Sequence, residues 1–182
     1  MGSKYEDTCS PELQNLSDIT NASFPPKGIM EMAKKLFITL NFSLTVPTVL
    51  SFLMPLLHSR DPGDRITTNL ALYYAQVSLT ISALVVQVPS LLASACIYLA
   101  RCSTSYIVWD SMESTLTGYD CNTVHAMTLQ LRAHLAVQHT SSSNYHTHGR
   151  YKRRQYGQVS EKPLPTVKRI MELHSQCDPD GF

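Results

Sequence analysis

The stretch VPSLLASACIYLAR, residues 88–101, decides the fold. Its proline stands where a helix would begin, and a proline in the first turn of a helix gives up only a backbone N–H that has no partner there. Apolar side chains follow at helical spacing from Leu91 to Leu99. The small residues at 93–96 are typical of a helix that other helices approach closely. This stretch therefore predicts the central helix of a helical bundle.

Helical patterns also precede this central helix. Apolar residues at i, i+3, i+4, i+7, i+8 and i+11 predict an amphipathic helix from Pro26 to Leu40. Pro47 predicts the start of a second long helix that Pro55 would kink or shorten, and Asp64 predicts the cap of a third. The apolar face of the first of these comprises Ile29, Met32, Ala33, Leu36, Phe37 and Leu40.

Capping residues predict two helices after the central one. Asp110 and Glu113 form a capping-box pattern, which predicts a short helix from Ser111 to about Thr117 that ends at Gly118. Asp120 then caps a longer helix, whose apolar face comprises Val124, Met127, Leu131 and Leu135. After Gln138 the sequence becomes polar and then basic, so we expect the compact domain to end near residue 140.

These patterns predict an all-α protein, since the sequence contains no strand-like alternation. A helical solenoid would give a similar pattern, but we find no repeat of fixed period. The 15 basic and 14 acidic side chains give a net charge of +1, which provides no overall attraction for nucleic acid or a lipid surface. We expect neither partner.

Two uncharged stretches, residues 36–57 and 66–100, are long enough to cross a bilayer. Both carry many Asn, Gln, Ser and Thr side chains, which a helix facing hydrocarbon would not. We therefore predict core helices, although a protein with two membrane spans is an alternative that the sequence leaves open.

The sequence shows no pattern of a catalytic or metal site. Its five cysteines are scattered without a CxxC pair, which favours reduced thiols and a location in nucleus and cytoplasm. The sequons at Asn15, Asn21 and Asn41 are then chance matches. Four histidines, His134, His139, His146 and His148, lack a second ligand pair of known spacing. We expect no metal, cofactor or small-molecule ligand, and no enzymatic activity.

Several stretches, read in order, resemble the cyclins of the A and B mitotic type. Residues 3–13, SKYEDTCSPEL, resemble the end of the third helix and the start of the fourth in the first cyclin box. Residues 19–53 resemble the run through the fifth helix and the linker into the second box, and residues 88–101 resemble its PS-x-x-A-A-A-x-x-LA helix. Residues 117–119, TGY, and the tail at 151–160 extend the resemblance.

This resemblance implies a cyclin fold with a complete, five-helix C-terminal box and a partial N-terminal box. The expected boundaries are residues 1–44 for the partial box, 45–140 for the complete box and 141–182 for a polar, basic tail. The first two helices of the N-terminal box have no counterpart here. Because the family's RxL docking patch lies on the first helix, substrate docking of that kind is expected to be absent.

The resemblance also implies a regulatory subunit that binds and activates a cyclin-dependent protein kinase. The kinase-binding positions of the family match Lys4, Phe37, Phe42 and Leu44. A family glutamate in the fifth helix is replaced by Ala33. Glu31 cannot substitute for it, because a residue two positions away lies on a different face of the helix. A helical scaffold that keeps the second box but does not activate a kinase is the alternative.

Overall fold

The computed structural model of the chain describes residues 11–60, 63–104, 108–138 and 145–177. These residues contain helices and turns and no strand, so the all-α prediction is confirmed. The chain divides into two compact units, residues 1–46 and 47–182. None of the described helices is long and apolar enough to cross a membrane. The helices are α1 (Leu13–Ile19), α2 (Pro26–Thr39), α3 (Val49–Arg60), α4 (Arg65–Ser78), α5 (Ser82–Val85), α6 (Pro89–Thr104), α7 (Ser111–Thr117), α8 (Cys121–Gln138), α9 (Tyr145–Tyr151) and α10 (Val167–His174).

Helix α6 is the centre of the second unit, as its small and apolar residues predict. Every residue from Leu92 to Cys102 is buried, so the helix is covered on all sides. Helices α3, α4 and α8 pack against it, and α10 contacts both α6 and α8. The predicted face of α8 is confirmed, because Val124, Met127, Leu131 and Leu135 are all buried.

The predicted caps of the second unit are confirmed. The Asp64 side chain accepts hydrogen bonds of 3.0 Å from the backbone N–H groups of Ile66 and Thr67. Asp110 and Glu113 form the reciprocal capping box of α7, which ends at a left-handed Gly118. Each cap satisfies backbone groups that the helix itself leaves without partners.

Helix α3 differs from its prediction at its start. It begins at Val49, two residues after Pro47, because Thr48 acts as the N-cap and its hydroxyl accepts from the Ser51 N–H at 3.4 Å. The helix then continues through Pro55 to Arg60.

The second unit continues beyond residue 140, which differs from the expected end of the compact domain. Tyr151, Val159, Ile170 and Leu173 are buried in the same core as α6. Helix α9, two 3-10 turns at Arg154–Tyr156 and Val159–Glu161, and helix α10 carry these residues. These segments are short and alternate between α-helix and 3-10 turn, so their few apolar side chains do not follow one regular spacing. A search for the 3.6-residue period therefore does not find them.

In the part of the first unit that the structure describes, α1 and α2 pack against each other. Helix α2 has no fully buried residue. Each helix ends in a Schellman motif with an asparagine, Asn21 or Asn41, in the left-handed conformation. Asparagine tolerates this conformation better than most residues, which is the structural reason for two of the three sequon asparagines.

A network of charges centred on the buried Glu113 and Arg101 joins three helices of the second unit. The Glu113 carboxylate accepts from Arg101 on α6 at 2.9 Å and from Arg60 at the end of α3 at 2.7 Å. Arg60 also pairs with Asp110 at 2.6 Å, and Arg101 is only 5% exposed. The network fixes the end of α3 and the start of α7 against the central helix.

Candidate functional site

An exposed apolar surface of the first unit lies on α2 and the turn after it. Met32, Leu36, Leu40 and Phe42, which we call the α2 surface, are between 44% and 71% exposed. Ile29, Ala33 and Phe37 of the same helix are only half-buried. The predicted apolar face is therefore divided into a half-buried stripe and an exposed stripe. Contiguous exposed apolar side chains of this kind mark interaction sites.

The turn after α2 holds Phe42 in an unusual conformation. The Phe42 N–H donates to the Phe37 carbonyl at 2.9 Å and the Asn41 N–H donates to the Ile38 carbonyl at 3.0 Å, which closes the helix end. Phe42 itself has φ +56°, a left-handed value that costs a bulky L-residue about 1–2 kcal/mol. Such conformations concentrate at functional sites.

The strained turn places the Phe42 ring on the Phe37 ring. Their centroids are 5.9 Å apart and the ring planes meet at 22°. Phe42 is nevertheless 71% exposed, so most of its ring is available for a partner. Phe37 thus holds the exposed Phe42 ring in place by stacking against one of its faces.

The structure brings three of the four sequence-predicted positions together. Phe37 and Phe42 are in contact, and the Leu44 N–H donates to the Phe42 carbonyl at 3.1 Å within the same turn. Lys4 lies outside the described residues. Met30 and Ile38 are also exposed, at 40% and 66%, and the helical periodicity had not assigned them to the apolar face.

The position of the family glutamate is half-buried and apolar. Ala33 lies on the half-buried stripe of α2, while Glu31 is exposed on another face. The structure therefore agrees that Glu31 does not occupy the position of Ala33. The exposed charges of α2 are Lys27, Glu31, Lys34 and Lys35, which give this helix a positive surface beside its apolar one.

A second constellation lies in the second unit, where α10 meets the start of α8. The Cys121 thiol lies 3.3 Å from His174 Nδ1, and His174 Nε2 lies 3.1 Å from the Asn122 side-chain oxygen. The His174 ring stacks on the ring of His125, with the two ring centroids 3.8 Å apart. No pattern in the sequence indicated this cluster, because its members are about fifty residues apart in the chain.

The surroundings of these groups change their acidity. Burial, together with the nearby imidazole of His174, lowers the pKa of His125 below its ordinary value. Hydrogen bonding, mainly from Cys121, lowers the pKa of the Cys177 thiol to about 7 against the effect of burial. His125 and Cys121 are buried, and the contacts of His174 with this part of α8 attach α10 to α8. Within the described residues, no three His, Cys, Asp or Glu side chains are arranged to hold a metal ion.

Comparison with known proteins matches the second unit to a family model. The model for the cyclin C-terminal domain matches residues 47–165. Its match ends well past residue 140, in agreement with the extended core of this unit.

Individual relatives extend the similarity into the first unit. Cyclin-A1 of Homo sapiens is 30% identical over 169 residues, which cover 92% of this chain and 36% of that protein. Cyclin-B1-5 of Oryza sativa subsp. japonica is 26% identical over 165 residues, 90% of this chain and 36% of that protein. G2/mitotic-specific cyclin-2 of Antirrhinum majus is 28% identical over 121 residues, 65% of this chain and 27% of that protein.

The chain thus spans between about a quarter and a little over a third of the length of these relatives. The family match itself covers the larger part of this chain and coincides with its helical core. The chain therefore belongs to the cyclin family, with relatives of the A and B mitotic type.

Proposed function

We propose that this chain is a cell-cycle regulatory subunit that binds a cyclin-dependent protein kinase and favours its active conformation. The observation that carries the proposal is the α2 surface with its exposed Phe42 in a chain of the cyclin family. In cyclins this helix and the following turn cover the αC helix of the kinase.

The chemistry of the α2 surface suits such a role. A partner helix that covered Met32, Leu36, Leu40 and Phe42 would remove their apolar area from water at about 25 cal/mol for each Å². The exposed lysines of the same helix would favour acidic side chains on the partner. A ring already positioned by Phe37 loses little freedom on binding.

In this proposal the chain performs no chemistry of its own. A regulatory subunit shifts the kinase between two conformations only by binding one of them more tightly than the other. The names of the relatives, among them a G2/mitotic-specific cyclin, support a role in the mitotic cell cycle.

Co-precipitation with a cyclin-dependent kinase tests the proposal. We expect Phe42→Ala to reduce the amount of kinase bound about tenfold, as expected for a buried aromatic contact. Phe24→Ala is the matched control, because Phe24 lies in the same unit and is 62% exposed, and this variant should bind normally. Equal binding by wild type and Phe42→Ala would contradict the proposed contact.

Ala33 at the position of the family glutamate favours a second function, that of a scaffold that binds a kinase or another protein without activating it. A reconstituted kinase assay separates the two functions. Activation predicts that phosphorylation rises with added chain until it saturates, whereas the scaffold predicts no rise at saturating protein.

A further inference from the structure

A depression in the second unit has an unusual set of side chains around it. It encloses about 370 Å³ and is lined by His146, Gly149, Arg150, Arg153 and Tyr156. Two guanidinium groups, an imidazole and a phenol therefore face one space, and no carboxylate is among its lining residues. Two guanidinium groups, which can only donate, on a lining without carboxylates suit an oxyanion.

The Arg150 guanidinium is held in position before any ligand arrives. Its Nε donates to the Tyr156 hydroxyl at 3.3 Å, and its central carbon lies 5.4 Å and 5.8 Å from the ring centroids of Tyr156 and Tyr151. Tyr151 is only 5% exposed and belongs to the core. The buried Tyr151 ring and the Tyr156 hydroxyl therefore both contact Arg150, so this lining residue has less side-chain freedom to lose on binding.

The positive charge around the depression is only partly balanced. Lys152 pairs with Glu161 at 2.9 Å. Arg153 and Arg154 are exposed and form no ion pair with any residue that the structure describes. Among the described residues, Arg150 and Arg153 thus face the depression without a carboxylate partner, which makes the local electrostatic potential positive.

We propose that this depression binds a phosphoryl group on a peptide, that is, a phosphoserine or phosphothreonine in a partner protein. Arginine suits this ligand because its planar fork of N–H donors matches the oxygens of a phosphate. The inference goes beyond kinase binding and does not depend on it, because the depression and the α2 surface belong to different units of the chain.

The size of the patch favours one phosphoryl group over a polyanion. Its cations lie within residues 150–154 and around one small depression, whereas nucleic-acid binding uses cations spread along many phosphates. Tyr151, the apolar ring beside these cations, is buried in the core, whereas a surface that inserts into a membrane carries exposed apolar residues.

A fluorescence polarisation titration of the full chain tests the proposal. The probe is a labelled peptide of Gly, Ser and Ala with one phosphoserine, and the same peptide without phosphate is the reference. We expect the phosphorylated peptide to bind at least about tenfold more tightly, and Arg153→Gln to remove about tenfold of its affinity, as for loss of one charged hydrogen bond.

Arg154→Gln is the matched control, because it removes the same charge from the next residue, which does not line the depression. It should change the affinity less than threefold, and Arg150→Lys should weaken binding while leaving the thermal melting of the chain unchanged.

Equal binding of both peptides, or equal losses in Arg153→Gln and Arg154→Gln, would overturn the proposal. So would tighter binding of a ten-nucleotide single-stranded RNA, which would indicate a nucleic-acid site, or of phosphatidylserine vesicles, which would indicate a membrane site.

Discussion

Among single residues, Glu113 connects more of the second unit than any other charged side chain described above. Its carboxylate accepts from Arg60 and Arg101, and one of its oxygens also accepts from the Asp110 backbone N–H at 3.0 Å. Glu113 and Arg101 are 3% and 5% exposed, so each neutralises a charge that water does not reach. Removing one member of such a pair costs far more than the pair contributes, because the other member is left buried and uncompensated.

We therefore expect Glu113→Ala to lower the free energy of unfolding by about 3–5 kcal/mol. Urea denaturation followed by circular dichroism measures this loss. Glu161→Ala is the control, because Glu161 forms an exposed pair with Lys152, and its loss should cost less than about 1 kcal/mol. Similar losses in the two variants would show that the buried network contributes no more than a surface pair.

At the scale of the elements, two glycines share a left-handed backbone conformation but differ in their surroundings. Gly118 at the end of α7 has φ +74° and Gly157 after the first 3-10 turn has φ +69°. A Cβ added at Gly118 meets open space, whereas at Gly157 it would lie 2.5 Å from the Cδ1 atom of Ile66. Only Gly157 is therefore needed both for its backbone and for the close approach of the turn to α4.

This difference predicts two levels of destabilisation. Gly118→Ala should cost about 1 kcal/mol, the penalty of the left-handed backbone alone. Gly157→Ala should cost up to about 1 kcal/mol more, because the Cδ1 atom at the end of the Ile66 side chain must also shift. Thermal melting of both variants measures the difference, and equal shifts would show that the Ile66 side chain adapts without loss.

The junction of α8 and α10 introduces a pH dependence. His125 is buried, and the rings of His174 and Tyr98 face it at 3.8 Å and 6.1 Å. Its lowered pKa means that the unfolded chain binds a proton more readily than the folded one. The contribution of His125 to stability is thus present above its unfolded pKa of about 6.5 and decreases as the pH falls below it.

Urea denaturation at pH 7.5 and pH 5.5 tests this expectation, and we predict lower stability at pH 5.5. His125→Phe preserves a ring against His174 and should reduce the difference between the two pH values. His58→Gln, at an exposed position of α3, should retain it. If His125→Phe keeps the full difference, the pH dependence arises from groups other than His125.

At the scale of the whole molecule, the second unit depends on segments far apart in the chain. Tyr151, Val159, Ile170 and Leu173 complete a core that is otherwise built from α3, α4, α6 and α8. Burial of a large apolar side chain stabilises by about 1.5–3 kcal/mol, so these four residues contribute about 6–12 kcal/mol. That sum is comparable with the whole stability of a typical domain.

A chain that ends at Gln138 should therefore lose cooperative unfolding, as measured by a urea titration. A chain that ends at Cys177 keeps all four residues and is the control, with an unfolding midpoint close to that of the full chain. Cooperative unfolding of the shorter chain at an unchanged midpoint would show that the segment after residue 140 lies outside the cooperative core.

The helices and their caps were predictable from the sequence because their causes are local. The Asp64 and Asp110 caps and the Gly118 stop depend on residues within a few positions of each other, and the buried surface of α6 follows from its small and apolar composition. The exposure of the α2 surface was only partly predictable, since periodicity placed Ile29 and Met32 on one face, whereas in the fold Ile29 is half-buried and Met32 is exposed. The positive φ of Phe42 has no sequence pattern that predicts it.

By itself, the sequence determined the all-α class, the central position of residues 88–101 and membership of the cyclin family, because propensity, capping and family motifs are properties of short stretches. Only the tertiary structure decided which distant residues meet. Glu113 joins Arg60 across 53 positions, His174 joins Cys121 across the same separation, and residues after 140 enter the core. Such contacts depend on the packing of many helices at once, and no spacing along the chain specifies them.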